Sequence, residues 1–261
     1  MKITAIVATL ATLAVLPAFA ADAPPAANTP ADPVAEQIKA EIKKEMPDAP
    51  PIESVKKTPY NDLYEVVAGG EIFYTNEKAT FISVGPIVDV KTKENVTEAR
   101  LRQISMVKFS DLPLDSAIKI VRGNGSRKVA LFEDPNCGYC KRFERDLQGI
   151  SDITVYVFLY PILSPDSIEK AKAIWCSADP GKAWIDAMTR DKLPTTAGTC
   201  TSPLEKNLAF GQSKRIRGTP TMIFEDGERV PGAISMADLE KRFAEAKAPA
   251  TAAAPAPAPA K

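Results

Sequence analysis

Two cysteines three positions apart, Cys137 and Cys140, sit in the stretch FEDPNCGYCKRFERDL, between an apolar run and a charged one. The run KVALFE (128–133) reads as a short buried strand, and a helix can start at or just after Cys137, with Phe143 and Leu147 one turn apart. A cysteine pair between a strand and a helix permits few chemistries. The chain has four cysteines and no histidine. A c-type haem attachment needs histidine directly after the second cysteine, and Lys141 stands there. A structural zinc site takes four ligands; Cys176 and Cys200 lie far off in sequence and no second close pair exists, so no metal is expected. A purely structural Cys137–Cys140 disulfide would close so short a loop that it would be a weak staple. A reactive dithiol has a physical cause: a cysteine at a helix N-terminus faces unpaired N–H groups and the positive end of the helix dipole, which favour thiolate. Glu133 and Asp134 oppose that field, while Lys141, Arg142 and Arg145 support it. Cys137 is the expected nucleophile, and Cys140, one turn further in, the less exposed partner that closes the ring.

The N-terminus bears on the redox compartment. Met1-Lys2 is followed by a mostly apolar run from Ile3 to Phe19 that ends in Ala18-Phe19-Ala20, the pattern of a secretory signal peptide (1–20) cut after Ala20. The run is short for a membrane span and contains Pro17. The mature protein is therefore expected to be soluble and exported, where disulfides persist. There, Cys176 and Cys200 are expected to form a structural disulfide, worth about 3–4 kcal/mol in the chain-entropy model; two free thiols or a regulatory pair are the alternatives. Lysine plus arginine (33) equals aspartate plus glutamate (33), and no basic run exists, so no nucleic-acid partner is expected. Segments 21–33 and 248–261 are rich in Ala and Pro and read as disordered.

Between these tails the texture changes near residue 95. VAEQIKAEIKKEM (34–46) carries one helical stripe, Val34, Ile38, Ile42 and Met46. Strand-like pieces follow: PIESVKK (51–57), LYEVVA (63–68), EIFYT (71–75), TFISVG (80–85) and IVDVK (87–91), with Gly69-Gly70 as a hairpin turn. Residues 34–95 thus read as a small α+β module without a chemical group, and an open strand edge in it invites pairing with a second copy. NVTEARLRQISMVKF (95–109) reads as three or four turns of helix started by Asn95, within a linker and hinge spanning 96–124. From 125 to 247 the texture is α/β. The strand before Cys137, the helix after it and ITVYVFLYP (153–161) are followed by broken helices over 166–216. A strand-turn-strand (221–230) and a helix capped by Ser235 close the unit. This is the thioredoxin order with a helical insertion after the second strand.

DPNCGYCK (134–141), KAIWCSADPGKAW (172–184) with Cys200, and GTPTMIFEDGERVPG (218–232) together resemble the DsbC family of exported disulfide isomerases, within the DsbC/DsbG group. The resemblance runs from about 34 to 245. It implies a cystatin-like N-terminal dimerisation domain (34–95), a linker helix and a thioredoxin-like catalytic domain (125–247). Two protomers would form a V-shaped homodimer around an apolar cleft that holds misfolded, disulfide-containing periplasmic proteins. Catalysis would fall to Cys137 and Cys140. Substrate binding would fall to Thr219 and a cis Pro220, and to Gly138 and Tyr139, the isomerase form of the dipeptide. A DsbD-type membrane reductant is the implied partner, and no cofactor is needed. Thioredoxins carry a buried acid six positions before the first cysteine; here that position is Leu131. The rival readings are a DsbG-like reductase of protein sulfenic acids, and a holdase chaperone whose dithiol is incidental.

Overall fold

The computed structural model describes residues 32–195 and 199–247. The expected signal peptide, the Ala/Pro-rich stretch up to residue 31 and the tail 248–261 lie outside the described residues. No described helix is long and apolar enough to cross a membrane.

Helix α1 (Pro33–Glu45) starts where the Asp32 carboxylate accepts the Val34 N–H at 3.0 Å, with proline in the first turn, where its missing donor costs nothing. It lays Ile38 and Ile42 on one face of an antiparallel sheet, β1 (Ile52–Lys57), β2 (Tyr64–Ala68) and β3 (Glu71–Thr75), in that order. Gly69 and Gly70 form the two-residue link between β2 and β3 at φ +61° and +81°, the mirror-type turn that suits strand twist. Helix α2 (Val96–Ile104) covers the opposite face, where Leu101 and Ile104 pack on Val67, Ile72 and Tyr74.

Three features of this module differ from expectation. Residues 80–85 and 87–91 contribute only isolated bridges, Tyr74 to Ser83 and Val88 to Asn95. Pro86 has no N–H for a ladder, and Asp89 folds its carboxylate onto the N–H groups of Lys91 and Thr92. Val84 and Val90 are left 82% and 80% exposed. Second, LYEVVA holds no open edge: β2 is the central strand, paired on both sides. Third, α2 ends at Ile104 rather than near 109, because the Val107 N–H leaves the helix pattern to bond the Gly227 carbonyl at 2.9 Å. Gly227, at φ +90°, allows this approach, since a Cβ there would meet the Val107 oxygen at 3.0 Å.

The second unit comprises β4 (Ile118–Arg122), β5 (Arg127–Glu133), α3 (Gly138–Leu147), β6 (Ile153–Leu159), α4 (Pro165–Trp175), α5 (Pro180–Arg190), α6 (Leu204–Ser213), β7 (Thr221–Phe224), β8 (Arg229–Pro231) and α7 (Met236–Lys247). The sheet order is β4-β6-β5-β7-β8, with β5 and β6 parallel and every other pair antiparallel. Strand β4 falls inside the stretch read as hinge. Its alternation, Ile118 and Ile120 inward, is only five residues long and is flanked by turn residues, so it carried little signal. Alternation also splits β5: Val129 and Leu131 face the core beneath α3, α5 and α7, while Ala130 and Phe132 face a second core with Tyr160, Ile216 and Ile223. Both faces are covered, which is why this strand reads as continuously apolar. The two units touch where Arg215 and Arg217 pair with Glu53 and Glu71 at 2.8 Å, beside the Gly69-Gly70 turn.

Candidate active site

Strand β5 delivers the chain to the cysteines, and Asp134 fixes the turn between them. Asp134 is buried and its carboxylate is saturated: Oδ1 accepts the Asn136 N–H and the Ser167 hydroxyl, both at 2.7 Å, and Oδ2 accepts the N–H groups of Ile162 and Leu163 at 2.8 and 2.9 Å. One side chain thus ties the approach to Cys137 to the loop after β6 and the first turn of α4.

Cys137 is the N-cap of α3, with φ −75° and ψ 113°, and its sulfur accepts the Cys140 N–H at 3.3 Å. The sulfur takes the place of the capping oxygen usual at such a position. Across the site, the Cys137 thiol donates to the carbonyl oxygen of Thr219 at 3.3 Å, and the Thr219–Pro220 peptide is cis. The Thr221 hydroxyl, donating to the Gly218 carbonyl at 2.7 Å, closes this loop at the start of β7. The four residues Cys137, Cys140, Thr219 and Pro220 are therefore gathered in one place by β5, α3 and β7. Both thiols are free; Cys137 is 4% exposed and Cys140 0%. Burial, and next the charge of Glu133, push the Cys140 thiol far above the ordinary range.

Gly138 and Tyr139 face outward. Tyr139 is 72% exposed, and a Cβ on Gly138 would meet nothing within 4 Å. Ile162, Leu163 and Leu193 are further exposed apolar side chains of this unit. Cys176 caps the C-terminus of α4 and is bonded to Cys200, in the segment before α6, with Cα atoms 5.6 Å apart.

Two further residues of the site were not read as buried acids in the sequence. Leu131, the position of the thioredoxin acid, is packed in the core, but Glu133 and Glu144 are buried in its stead. The Trp184 indole N–H donates to Glu144 Oε1 at 2.8 Å, whereas neither Glu133 oxygen has a donor. Burial raises both carboxyls above their usual range, Glu133 further by the neighbouring Glu144. In the sequence Glu133 reads only as a charge that opposes the thiolate at Cys137, at the end of the strand KVALFE. Glu144 had a signal: it falls with Cys140 and Leu147 on one helical stripe, the buried one.

A dithiol at the N-terminus of a helix, in a thioredoxin-like sheet and against a proline loop, defines a thiol–disulfide oxidoreductase. Residues 114–247 match the family model of a thioredoxin-like domain, and residues 20–98 that of the disulfide bond isomerase protein N-terminal domain. The probable thiol:disulfide interchange protein DsbC of Bordetella parapertussis is 46% identical over 211 residues, covering 81% of this chain and 75% of that protein. The thiol:disulfide interchange protein DsbC of Escherichia coli K12 is 25% identical over 186 residues, covering 68% and 75%. A crystal structure of a disulfide interchange protein from Neisseria gonorrhoeae superposes with a TM-score of 0.51 at 40% identity, covering 52% of this chain and 99% of that one. The chain belongs to the DsbC family of thiol:disulfide interchange proteins. This is the family that residues 134–141, 172–184 and 218–232 pointed to.

Proposed function

We propose that this protein is an exported disulfide isomerase that works as a homodimer in the periplasm. The observation that carries the reading is the pairing of a complete dithiol site with residues 20–98, which match an isomerase N-terminal domain. Cys137 is the nucleophile. Its thiolate, held by the Cys140 N–H, attacks a non-native disulfide of a misfolded protein. One substrate sulfur leaves as thiolate, and a mixed disulfide to Cys137 forms. A second substrate thiolate then displaces Cys137, giving a rearranged disulfide with no net redox change. If none arrives, Cys140 displaces the substrate, which leaves reduced while Cys137–Cys140 is oxidised. That second exit leaves the enzyme inactive, so a membrane reductant of the DsbD type must restore the dithiol. Thr219, Pro220, Gly138 and Tyr139 form the substrate-facing surface. The open space over Gly138 and the exposure of Tyr139 support this. In the first module, the exposed Phe81, Val84 and Val90 support burial against a second copy.

Reactivation of a scrambled multi-disulfide substrate tests the reading. The wild-type protein should restore activity and Cys137→Ser should not. A Cys137→Ser protein that worked as well as wild type would make the protein a holdase and end the isomerase reading.

A further inference from the structure

Resting on the isomerase reading above, the shape and charge beside the cis proline bear on which disulfides Cys137 opens. A cavity of about 490 Å³ lies between the two units. Its walls are the Gly69-Gly70 turn, residues 104–107 at the end of α2, and the segment that leads from α6 toward Pro220. Its charge is one-sided. Ile216 is buried in the second core, while Lys214, Arg215 and Arg217 around it are left on the cavity wall, joined by Arg229 from β8.

Two carboxylates answer these four cations: Glu53 pairs with Arg215 and Glu71 with Arg217, each at 2.8 Å. Among the described residues no carboxylate pairs with Lys214 or Arg229. The carbonyl end of α6 accounts for part of the excess, since Lys214 caps that helix and Arg229 donates to the Lys214 carbonyl. A helix end offers only about half a charge. Arg229 is half-buried, and burial, then the charges of Arg215 and Arg217, pull its guanidinium below the usual range. Cations gathered in a partly dry cavity without matching anions cost stability. An anion entering the cavity offsets that cost, and a guanidinium grips a carboxylate with two parallel N–H bonds.

The place of the cavity gives the source of the anion. Gly218 and Thr221 line it, and between them in sequence stand Pro220 and Thr219, whose carbonyl accepts the Cys137 thiol. A substrate chain that presents its disulfide to Cys137 beside Thr219 runs next to the cavity, and each extended residue carries it about 3.3 Å further. The side chains that meet the cavity are those flanking the substrate cysteine.

We propose that Lys214 and Arg229 form a subsite for an aspartate or glutamate flanking the substrate cysteine, so that disulfides in acidic surroundings are opened fastest. Arg215 and Arg217 stay with Glu53 and Glu71 and hold the wall. The chain as a whole balances 33 basic residues with 33 acidic ones, so such a preference has a local source and not a global field.

Short peptide pairs joined by one disulfide, with a quenched fluorophore that brightens on cleavage, read the preference against reduced full-length protein. Three pairs differ only beside the cysteine, where they carry glutamate, glutamine or lysine. The glutamate pair should be cleaved at least about fivefold faster than the glutamine pair at low salt, and the lysine pair more slowly than either. The advantage should shrink toward parity at about 1 M salt, where screening acts within about 3 Å. Lys214→Gln and Arg229→Gln should each narrow it, and Lys214→Arg should keep it. Lys214→Glu should remove it, and Lys214→Glu combined with Arg229→Gln should put the lysine pair ahead, an inversion that loss of structure alone cannot produce. Lys214 rests over the Phe210 ring, so its variants keep the test alive if Arg229→Gln folds poorly. Equal rates for the glutamate and glutamine pairs, or an advantage that Lys214→Glu leaves intact, would overturn the subsite. Cleavage that survives Cys137→Ser would instead overturn the dithiol reading itself.

Discussion

The Cys137 thiol lies 3.3 Å from the carbonyl oxygen of Thr219, across a sequence separation of 82 residues. The same sulfur receives the Cys140 N–H. The outer cysteine is thus placed at the cis-proline loop with a donor ready for its thiolate, while the inner one is sealed and its thiol proton held tightly by burial. Iodoacetamide at neutral pH should therefore alkylate Cys137 well before Cys140, with peptide mapping to read the order. Cys140→Ala should accumulate mixed disulfides that non-reducing gels resolve. Equal alkylation of the two thiols would contradict this division of labour.

Gly138 is the first residue of α3, and no packing demands glycine there. The preceding Cys137 already has the extended backbone that a following proline requires. Proline at a first helical position lacks only a donor that is unpaired anyway. Gly138→Pro should fold and gain about 0.4–1 kcal/mol of stability through the unfolded chain. Because the substitution changes the surface over Cys137 and not the fold, the rate on a scrambled substrate should change. Thermal melts and reactivation assays together check it; a destabilised variant would mean that Gly138 is held by backbone needs unseen in the geometry.

The chain states its dithiol openly, because the strand, the turn and the amphipathic helix around Cys137 are contiguous. It hides what depends on pairing at a distance. Strand β4 is recognisable only once Ile118 and Ile120 lie beside β6. TFISVG has strand composition, but Gly85-Pro86 and the Asp89 turn reduce it to a bridge. The proximity of Thr219 to Cys137 came from family resemblance and not from spacing. Asp134 and Glu133 are adjacent acids that look alike in sequence, and only the fold separates them: one has four donors, the other none.

The buried acids set a pH dependence of stability. Glu133 and Glu144 bind protons more tightly in the folded protein than in the unfolded chain, where glutamate titrates near about 4.3. Below that pH both states are protonated and the contribution is fully present. As pH rises through it, the unfolded chain releases protons that the folded protein still holds, so stability falls toward the raised folded values. Urea midpoints should drop between pH 4.5 and 7, and Glu133→Gln should flatten that slope. An equal slope in the variant would assign the pH dependence to other groups.

The Cys176–Cys200 bond joins the end of α4 to the segment before α6. It closes a loop around α5, whose Trp184 meets Glu144 beneath the dithiol. Replacing both cysteines with alanine should cost about 2–4 kcal/mol in unfolding free energy. The rate at which Cys137 reacts with dithiobis(nitrobenzoate) should stay within about twofold of wild type, since neither cysteine touches it. A stable double variant whose oxidised dithiol its reductant could no longer reduce would make the bond a relay and not a staple.

Removing the first module tests its role, and the fold dictates where to cut. A protein starting near Gly125 would lose β4 and leave β6 with an unpaired edge. A start at Ser105 retains Val107, which bonds Gly227 and is buried with Leu112, Phe132 and Ile223 in the second core. The lost pairs of Arg215 and Arg217 with Glu53 and Glu71 are exposed and worth little, so the Thr219 loop should stay in place. Such a protein should sediment as a monomer and react with dithiobis(nitrobenzoate) as the whole chain does. Isomerisation makes a further demand, because a substrate must be held while several pairings are tried. The shortened protein should therefore reduce simple disulfides at close to the full rate but lose most reactivation of a scrambled substrate. Full-length protein that sediments as a monomer, or a shortened one that reactivates equally well, would remove the first module from the mechanism.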